Sequence, residues 1–348
     1  MTIYIIQRRI AEYRIGVFNA IARRRRDLIV CSQEPPKSPT DFKWMHLQFD
    51  KKKFGQHAWN IPFDVENDIL ITGLDLRNPS LLSIIFSSRG QVVIWSHGFG
   101  RRWGSFFIRP LRLIAAARVT ASIFYTESGR DQFARWLAND KLFVARNTIA
   151  LASFEADPTV CRDSYLYFGD YRDEKGLMEL LDAFAVVAAE HPSVRLVLVG
   201  SGSTEASMKT RANRGGFSDR IEFHPRTSTP EGLKKFLDRA IATVSPWHVG
   251  LSVVQSFWAG VPVVTRPGNR HAPEFEYCVE NENSLFYRGG ANELARVMER
   301  LLNSDLREEM ARNARKYYIE KLDIENMVQG FEAAIAFCEE RRTLRPSI

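Results

Sequence analysis

Short apolar runs alternate with stretches of helical spacing along the whole chain. In the first half, residues 2–6, 28–32, 68–73, 91–97 and 122–126 read as buried strands, and spacings such as Tyr13, Val17 and Ile21 read as helices between them. The alternation predicts parallel βαβ units. The second half repeats it, with strands at 165–169, 195–200, 221–224, 241–245, 261–265 and 285–287. Leu177, Leu180, Leu181, Phe184 and Val187 mark one face of a helix, and further helices are expected at 230–239, 250–259, 291–303 and 306–319. Pro230 suits a helix start and Gly260 a helix stop. A polar stretch at 152–163, with Pro158, separates the halves, and a last helix at 323–341 has no strand to serve. The pattern predicts an α/β chain of two Rossmann-like, doubly wound domains facing a cleft, with ligands at the carboxyl ends of the strands. The boundaries fall at 1–155 for the first domain and 164–320 for the second, with a C-terminal helix in 321–348 that could return to the first.

A length of 348 residues suits two cores, and 45% hydrophobic with 26% charged residues is ordinary for a globular enzyme. The opening Met1-Thr2-Ile3-Tyr4-Ile5-Ile6 meets Gln7-Arg8-Arg9 too early for a signal-peptide core. The most apolar stretch, near Leu113 to Phe124, is broken by Arg118 and falls short of a membrane span. Cys31, Cys161, Cys278 and Cys338 are far apart, which suits reduced thiols in the cytosol and gives no zinc spacing. A cytoplasmic location is expected, with peripheral attachment to the inner membrane face as an extension of it.

Charge is uneven. Of the net +7, residues 1–150 carry +11, from 23 Lys/Arg against 12 Asp/Glu, and the remainder −4. The first half therefore either meets an anionic partner or is simply kept soluble by its basic surface. Two stretches stand out: Arg23-Arg24-Arg25-Arg26, and Arg101-Arg102-Trp103 followed by residues 106–113. The second mixes arginines with bulky apolar side chains, as a segment on an anionic bilayer would, or forms a loop and short helix where Pro110 interrupts it. No nucleic-acid recognition module accompanies them, so no nucleic-acid partner is expected.

Two stretches carry candidate chemistry. Residues 245–264 read strand, glycine loop, helix, glycine stop, strand, with a helix expected to begin at Gly250. Its first amides and its dipole would favour an anion, and Gly250 would let a phosphate approach closely. Residues 168–176, Phe-Gly-Asp-Tyr-Arg-Asp-Glu-Lys-Gly, also follow a strand. Lys175 opposes the dipole of the helix it opens, and neutralising a diphosphate would explain it; local Arg–Asp and Lys–Glu pairing is the alternative.

Together these stretches resemble the C-terminal domain of retaining, nucleotide-sugar-dependent glycosyltransferases of family 4, which have the GT-B fold. Gly169, Lys175, Gly176, Pro246, Gly250, Leu251, Ala259, Gly260, Pro262 and Val263 fall in register with the family's G-R-L-x-x-x-K-G and P-x-x-x-E-G-F-G-L-x-x-x-E-A-x-A-x-G-x-P-V segments. The later Pro273-Glu274-Phe275-Glu276 also resembles the family, and the likeness covers roughly residues 165–320. It implies donor-binding roles for Arg172, Lys175, His248, Gly250, Leu251, Ser252, Gln255 and Glu274. In the first half it implies a catalytic role for His97, which would reach across the cleft to the transferring sugar, and a structural one for Asn147. The family's Arg position is Asp170, with Arg172 nearby; its first glutamate falls on Trp247 and its second on Gln255. Gln255 can still pair with a ribose diol, whereas Trp247 offers an apolar wall or one N–H. These swaps resemble a bacterial polysaccharide branch of the family.

The expected function is sugar transfer from a nucleotide-diphosphate sugar to a saccharide or lipid-linked saccharide, with retention and without a metal. The donor is a substrate, and no cofactor is expected. A nucleotide-sugar epimerase and a non-catalytic nucleotide-sugar-binding protein remain alternatives. A dinucleotide-dependent dehydrogenase is disfavoured because no Gly-x-Gly-x-x-Gly follows the first strand.

Overall fold

The computed structural model describes residues 1–52, 55–58, 63, 64, 66–76, 78–87, 90–99, 105–227, 229–268 and 271–343. The chain divides into two compact units, Met1–Ala150 with Asp323–Ile348, and Leu151–Leu322.

In the first unit, β1 (Ile3–Ile6) is followed by α1 (Glu12–Arg24), β2 (Leu28–Ser32), β3 (Lys43–His46) and a hairpin of β4 (Phe49–Lys52) and β5 (Gly55–Ala58). Then come β6 (Ile69–Gly73), α2 (Pro79–Ser87), β7 (Gln91–Ser96), α3 (Ser105–Arg118), β8 (Ala121–Phe124), α4 (Glu127–Ala134) and β9 (Leu142–Val144). The sheet runs β3-β2-β1-β6-β7-β8-β9, all parallel. The chain winds outward one way from β1 and then returns to wind the other way from β6. A continuous helix runs through Pro110, where an interruption was expected; Pro110 sits in the second turn of α3 and removes only one early bond.

The second unit repeats the winding. Its elements are β10 (Ser164–Asp170), α5 (Leu177–Glu190), β11 (Arg195–Ser201), α6 (Glu205–Arg214), β12 (Ile221–His224), α7 (Pro230–Asp238), β13 (Ala240–Val244) and α8 (Ser252–Trp258). After these follow β14 (Val263–Thr265), β15 (Ser284–Phe286), α9 (Ala291–Arg300) and α10 (Ser304–Tyr317). Its sheet runs β12-β11-β10-β13-β14-β15, again parallel. Apolar residues cover both faces, as an all-parallel sheet requires: α5 and α9 pack on one cluster, and α7 and α8 on another. No described helix is long and apolar enough to cross a membrane. Cys31, Cys278 and Cys338 are buried free thiols, and Cys161 is free and exposed.

The last helix, α11 (Ile324–Thr343), belongs to the first unit. Its Met327, Val328, Phe331, Ala334, Ile335 and Cys338 join the β1, β7 and β8 core. Glu325, Glu332 and Glu339 recur every seven residues on one side of α11; Arg24 pairs with the first two and Arg25 with the third. Arg23 pairs with Asp41 at 3.7 Å. Arg23, Arg24 and Arg25 of the run are therefore paired with carboxylates of their own unit. The last 26 residues carry five acidic and three basic side chains, so the first unit has a net +9. Arg101, Arg102 and Trp103, and the side chains of Phe106 and Phe107, lie outside the described residues.

Close approach of α11 to the sheet depends on Gly330, where an added Cβ would stand 2.2 Å from the Val144 carbonyl oxygen. Gly330→Val is expected to destabilise the first unit by about 1–3 kcal/mol through overpacking. A urea unfolding curve checks this, and an unchanged midpoint would contradict the packing.

Candidate functional site

In the second unit, β10 and β13 are neighbours, yet β10 leads toward β11 on one side and β13 toward β14 on the other. The crevice beyond their carboxyl ends is the topological switch point where doubly wound sheets take ligands. The loops that leave there are residues 171–176 and 245–251, the two stretches singled out in the sequence. Thr265 fixes the exit of the second by donating its hydroxyl to the Ser245 carbonyl at 2.7 Å.

These loops meet. Lys175 Nζ lies 3.0 Å from His248 Nδ1. Burial, and then the charge of Arg172, lowers the pKa of Lys175; burial, and then Lys175, lowers that of His248. A neutral His248 accepting from the Lys175 ammonium fits both directions. The imidazole also reaches the glycine loop, its Cε1 lying 3.8 Å from where a Cβ on Gly250 would stand. Lys175 ends a 3₁₀ turn, Asp173–Lys175, and Gly176 with φ +71 starts α5. Lys175 therefore precedes the helix, contrary to expectation, and the supposed conflict with the dipole is reduced.

The second helix begins at Ser252, after Leu251, where Gly250 was expected. Val253 and Val254 donate to the carbonyls of Gly250 and Leu251, each at 3.1 Å. The earlier amides of Gly250, Leu251 and Ser252 are the ones a helix start leaves for solvent or ligand. His271, which the sequence reading missed, holds this loop. Val249 N–H donates to His271 Nδ1 at 2.9 Å, His271 Nε2 lies 2.8 Å from the Arg266 carbonyl, and Ala272 N–H donates to the Val249 carbonyl at 2.9 Å. This pattern makes His271 a neutral imidazole protonated on Nε2, and its ring stacks on Phe275 at 4.1 Å.

Trp247 lies over Gly176, where an added Cβ would stand 2.6 Å from indole Cγ. Its N–H donates to Glu179, which also accepts from the Tyr287 hydroxyl at 2.9 Å. The single N–H that Trp247 could have offered a sugar is thus taken. Glu179 and Tyr287 were also missed: they lie 68 and 40 residues from Trp247, and nothing local links them. Arg172 sits between Asp170 at 3.3 Å and Glu174 at 3.1 Å, and Asp170 also pairs with Arg226. To meet a phosphate, Arg172 must leave both carboxylates. Gln255 is half-buried on α8. Glu274 is 3% exposed, in the Pro273–Tyr277 turn.

His97 belongs to the first unit and follows β7. Its ring stacks on Tyr125 with centroids 4.0 Å apart. Arg14 donates to the Tyr125 hydroxyl at 2.7 Å and to Gln7 at 2.9 Å, and lies 4.2 Å from the Trp95 ring. Arg112 donates to the Gly98 carbonyl at 2.6 Å. The His97 side chain keeps an exposed edge, so the burial that contributes most to lowering its pKa, to about 4, acts only from its inner side, with the positive charges of Arg14 and Arg112 adding to it. At neutral pH it is an uncharged imidazole, able to donate or accept a hydrogen bond but not to serve as a ready acid. Arg14→Gln removes a nearby cation and is expected to raise that pKa toward 6.5. An NMR titration of the imidazole protons checks it; no upward shift would contradict the electrostatic account. Asn147 is buried and donates its backbone N–H to the Tyr125 carbonyl at 3.3 Å. Among the described residues, Glu190, His191 and Glu299 could group around a metal ion, but Glu190 and His191 sit at the end of α5 opposite Lys175.

Residues 162–317 match the family Glycosyl transferases group 1. They fall within the second unit and contain both loops. The chain is 24% identical over 173 residues to the putative glycosyltransferase EpsD of Bacillus subtilis (strain 168), a match covering 48% of this chain and 45% of that protein. It thus spans a little under half the length of that curated relative. Over 97% of this chain and 100% of the other, the structure is similar to HepE of Anabaena in complex with UDP, with a TM-score of 0.73 and 14% identity. It is also similar to sucrose-phosphate synthase of Thermosynechococcus elongatus, with a TM-score of 0.72 and 15% identity over 98% and 99% of the two chains. At these identities the structural likeness shows the fold, two Rossmann-like units of the GT-B type.

Proposed function

We propose that the protein is a glycosyltransferase that moves a hexose from a nucleotide-diphosphate donor to a saccharide or lipid-linked saccharide. One observation carries the reading: Lys175, His248 and the open amides at Gly250–Ser252 come together at the switch point of the second unit. The family match over this unit supports it, as does the UDP bound by HepE. A uridine diphosphate sugar is therefore the first donor to try.

In this proposal the Lys175 ammonium leaves His248 and neutralises the diphosphate, whose charge grows as the bond to the sugar breaks. The amides of Gly250, Leu251 and Ser252 donate to its oxygens. Donors fixed before the reaction cost no reorganisation during it, and His271 fixes this loop. Gln255 pairs with the ribose diol, and Glu274 is the carboxylate assigned nearest the donor. Neutral His97 donates a hydrogen bond to the transferring sugar. The acceptor attacks from the leaving-group side and the phosphate takes its proton, giving retention without a metal. The basic first unit receives the acceptor, in polysaccharide assembly at the cytoplasmic membrane face.

Release of UDP from a UDP-sugar, measured with and without a saccharide acceptor, tests the proposal. Release that needs acceptor is expected. Conversion of the sugar without acceptor would instead mean an epimerase. Binding with neither release nor conversion would mean a non-catalytic binder, as loss of both family glutamates would suggest.

A further inference from the structure

The second unit has another concave site, a cavity of about 480 Å³ at the opposite end of its sheet from Lys175. Gly260, in its lining, precedes the amino end of β14, whereas Lys175 and His248 follow the carboxyl ends of β10 and β13. Arg312, Arg315, Lys316 and Glu320 also line it, from α10 and the π-helical turn Tyr318–Leu322 that continues it. Their spacing of three, four and eight residues puts them on one face. Arg162 completes the basic set. Single π-helical turns inside longer helices are often found at functional sites.

Charge here is not balanced. Four cationic side chains face one carboxylate, and that carboxylate is 3.9 Å from Lys316. Arg162 lies 3.4 Å from the carbonyls of Ala240 and Gly260, and Arg315 donates to the Trp258 carbonyl. Such carbonyls occupy donors and supply only partial charge, so the lining keeps about +3. Burial, and then the nearby charge of Arg307, lowers the Arg162 pKa, against the opposing pull of the Asp238 and Glu308 carboxylates. The Arg307 Nε is itself buried without a hydrogen-bond partner. The cations that line the cavity, Arg162, Arg312, Arg315 and Lys316, repel one another, and an anion bound among them would relieve the repulsion. The planar, multi-donor guanidinium heads match phosphate oxygens.

We infer that this cavity binds the phosphate group of a second ligand, separate from the proposed donor. Ala259, Ala311 and Ile319 add an apolar wall, which suits a phosphate carried on an apolar body, either a soluble phosphorylated compound or a lipid headgroup. The inference does not depend on the sugar-transfer reading.

Thermal unfolding of the full chain in inorganic phosphate, against chloride of equal ionic strength, is the test. About 10 mM phosphate is expected to raise the midpoint by about 2–4 °C. The rise should persist in Lys175→Ala and vanish in the double variant Arg312→Gln/Lys316→Gln, whose altered positions are exposed. No rise, an equal rise in chloride, or a rise lost in Lys175→Ala but kept in the double variant would each overturn the inference. Sedimentation with phosphatidylglycerol vesicles, against phosphatidylcholine vesicles, separates the sources. Binding to the former that the double variant loses assigns a lipid headgroup. A phosphate-dependent rise without such binding assigns a soluble phosphate compound.

Discussion

Replacing Lys175 with alanine is expected to lower turnover in sugar transfer by about 10²–10³-fold, the usual effect of removing one group that stabilises developing charge. Among the groups proposed to meet the diphosphate, Lys175 is a cation at the switch-point crevice, 3.0 Å from His248 Nδ1. Arg172, the other cation, is held by Asp170 and Glu174. The Lys175 ammonium makes a 3.0 Å contact with His248, so its loss leaves a small local gap rather than a broken core. The fold should survive, with an unchanged circular dichroism spectrum. The His248 pKa should rise, because Lys175 is one of the charges that lowers it. Steady-state kinetics check the main effect. Near-normal kcat in a folded variant would remove Lys175 from the site.

Gly176→Val is expected to destabilise the second unit by about 2–5 kcal/mol, from the penalty of a left-handed backbone and from overpacking. Both causes are visible. Gly176 has φ +71, which a β-branched residue adopts poorly, and its Cβ would enter the Trp247 ring. The displaced indole would leave Glu179 without one of its two donors. Donor affinity should therefore fall together with stability. A double-mutant cycle separates the causes: in a Trp247→Ala background, Gly176→Ala should cost only the backbone part, about 1 kcal/mol. Urea denaturation measures each variant. Additivity of the two substitutions would deny the contact.

The second unit was largely legible in the sequence because its strands are short apolar runs between helices with clear apolar faces. Residues 221–224 and 230–239 were placed to within one residue of β12 and α7. In the first unit, Lys43–His46 was missed because an edge strand needs no apolar run, and here both its ends are exposed. The hairpin Phe49–Lys52 with Gly55–Ala58 is lysine-rich, and Leu142–Val144 is only three residues long. Residues 261–265 gave a strand that begins two residues late, since Pro262 has no N–H and only offers its carbonyl to Thr243.

The candidate site was legible in its glycines and its lysine, whose spacing is local. The side chains that hold it in place were not. His271 returns to Val249 from 22 residues away, and Tyr287 reaches Glu179 from 108. Such contacts depend on strand order, which a hydrophobic pattern alone leaves open. Trp247 shows the same limit: its chemistry can be read from the residue type, but only the fold shows its N–H already taken by Glu179.

In the proposed donor complex the second unit grips a diphosphate with backbone amides at the switch point between β10 and β13. The amide resonances of Gly250, Leu251 and Ser252 in isotopically labelled protein, followed during titration with UDP and separately with uridine, test it most directly. All three are expected to move with UDP and to stay nearly still with uridine, which lacks the phosphates. UDP binding that leaves them in place, or equal movement with uridine, would contradict it.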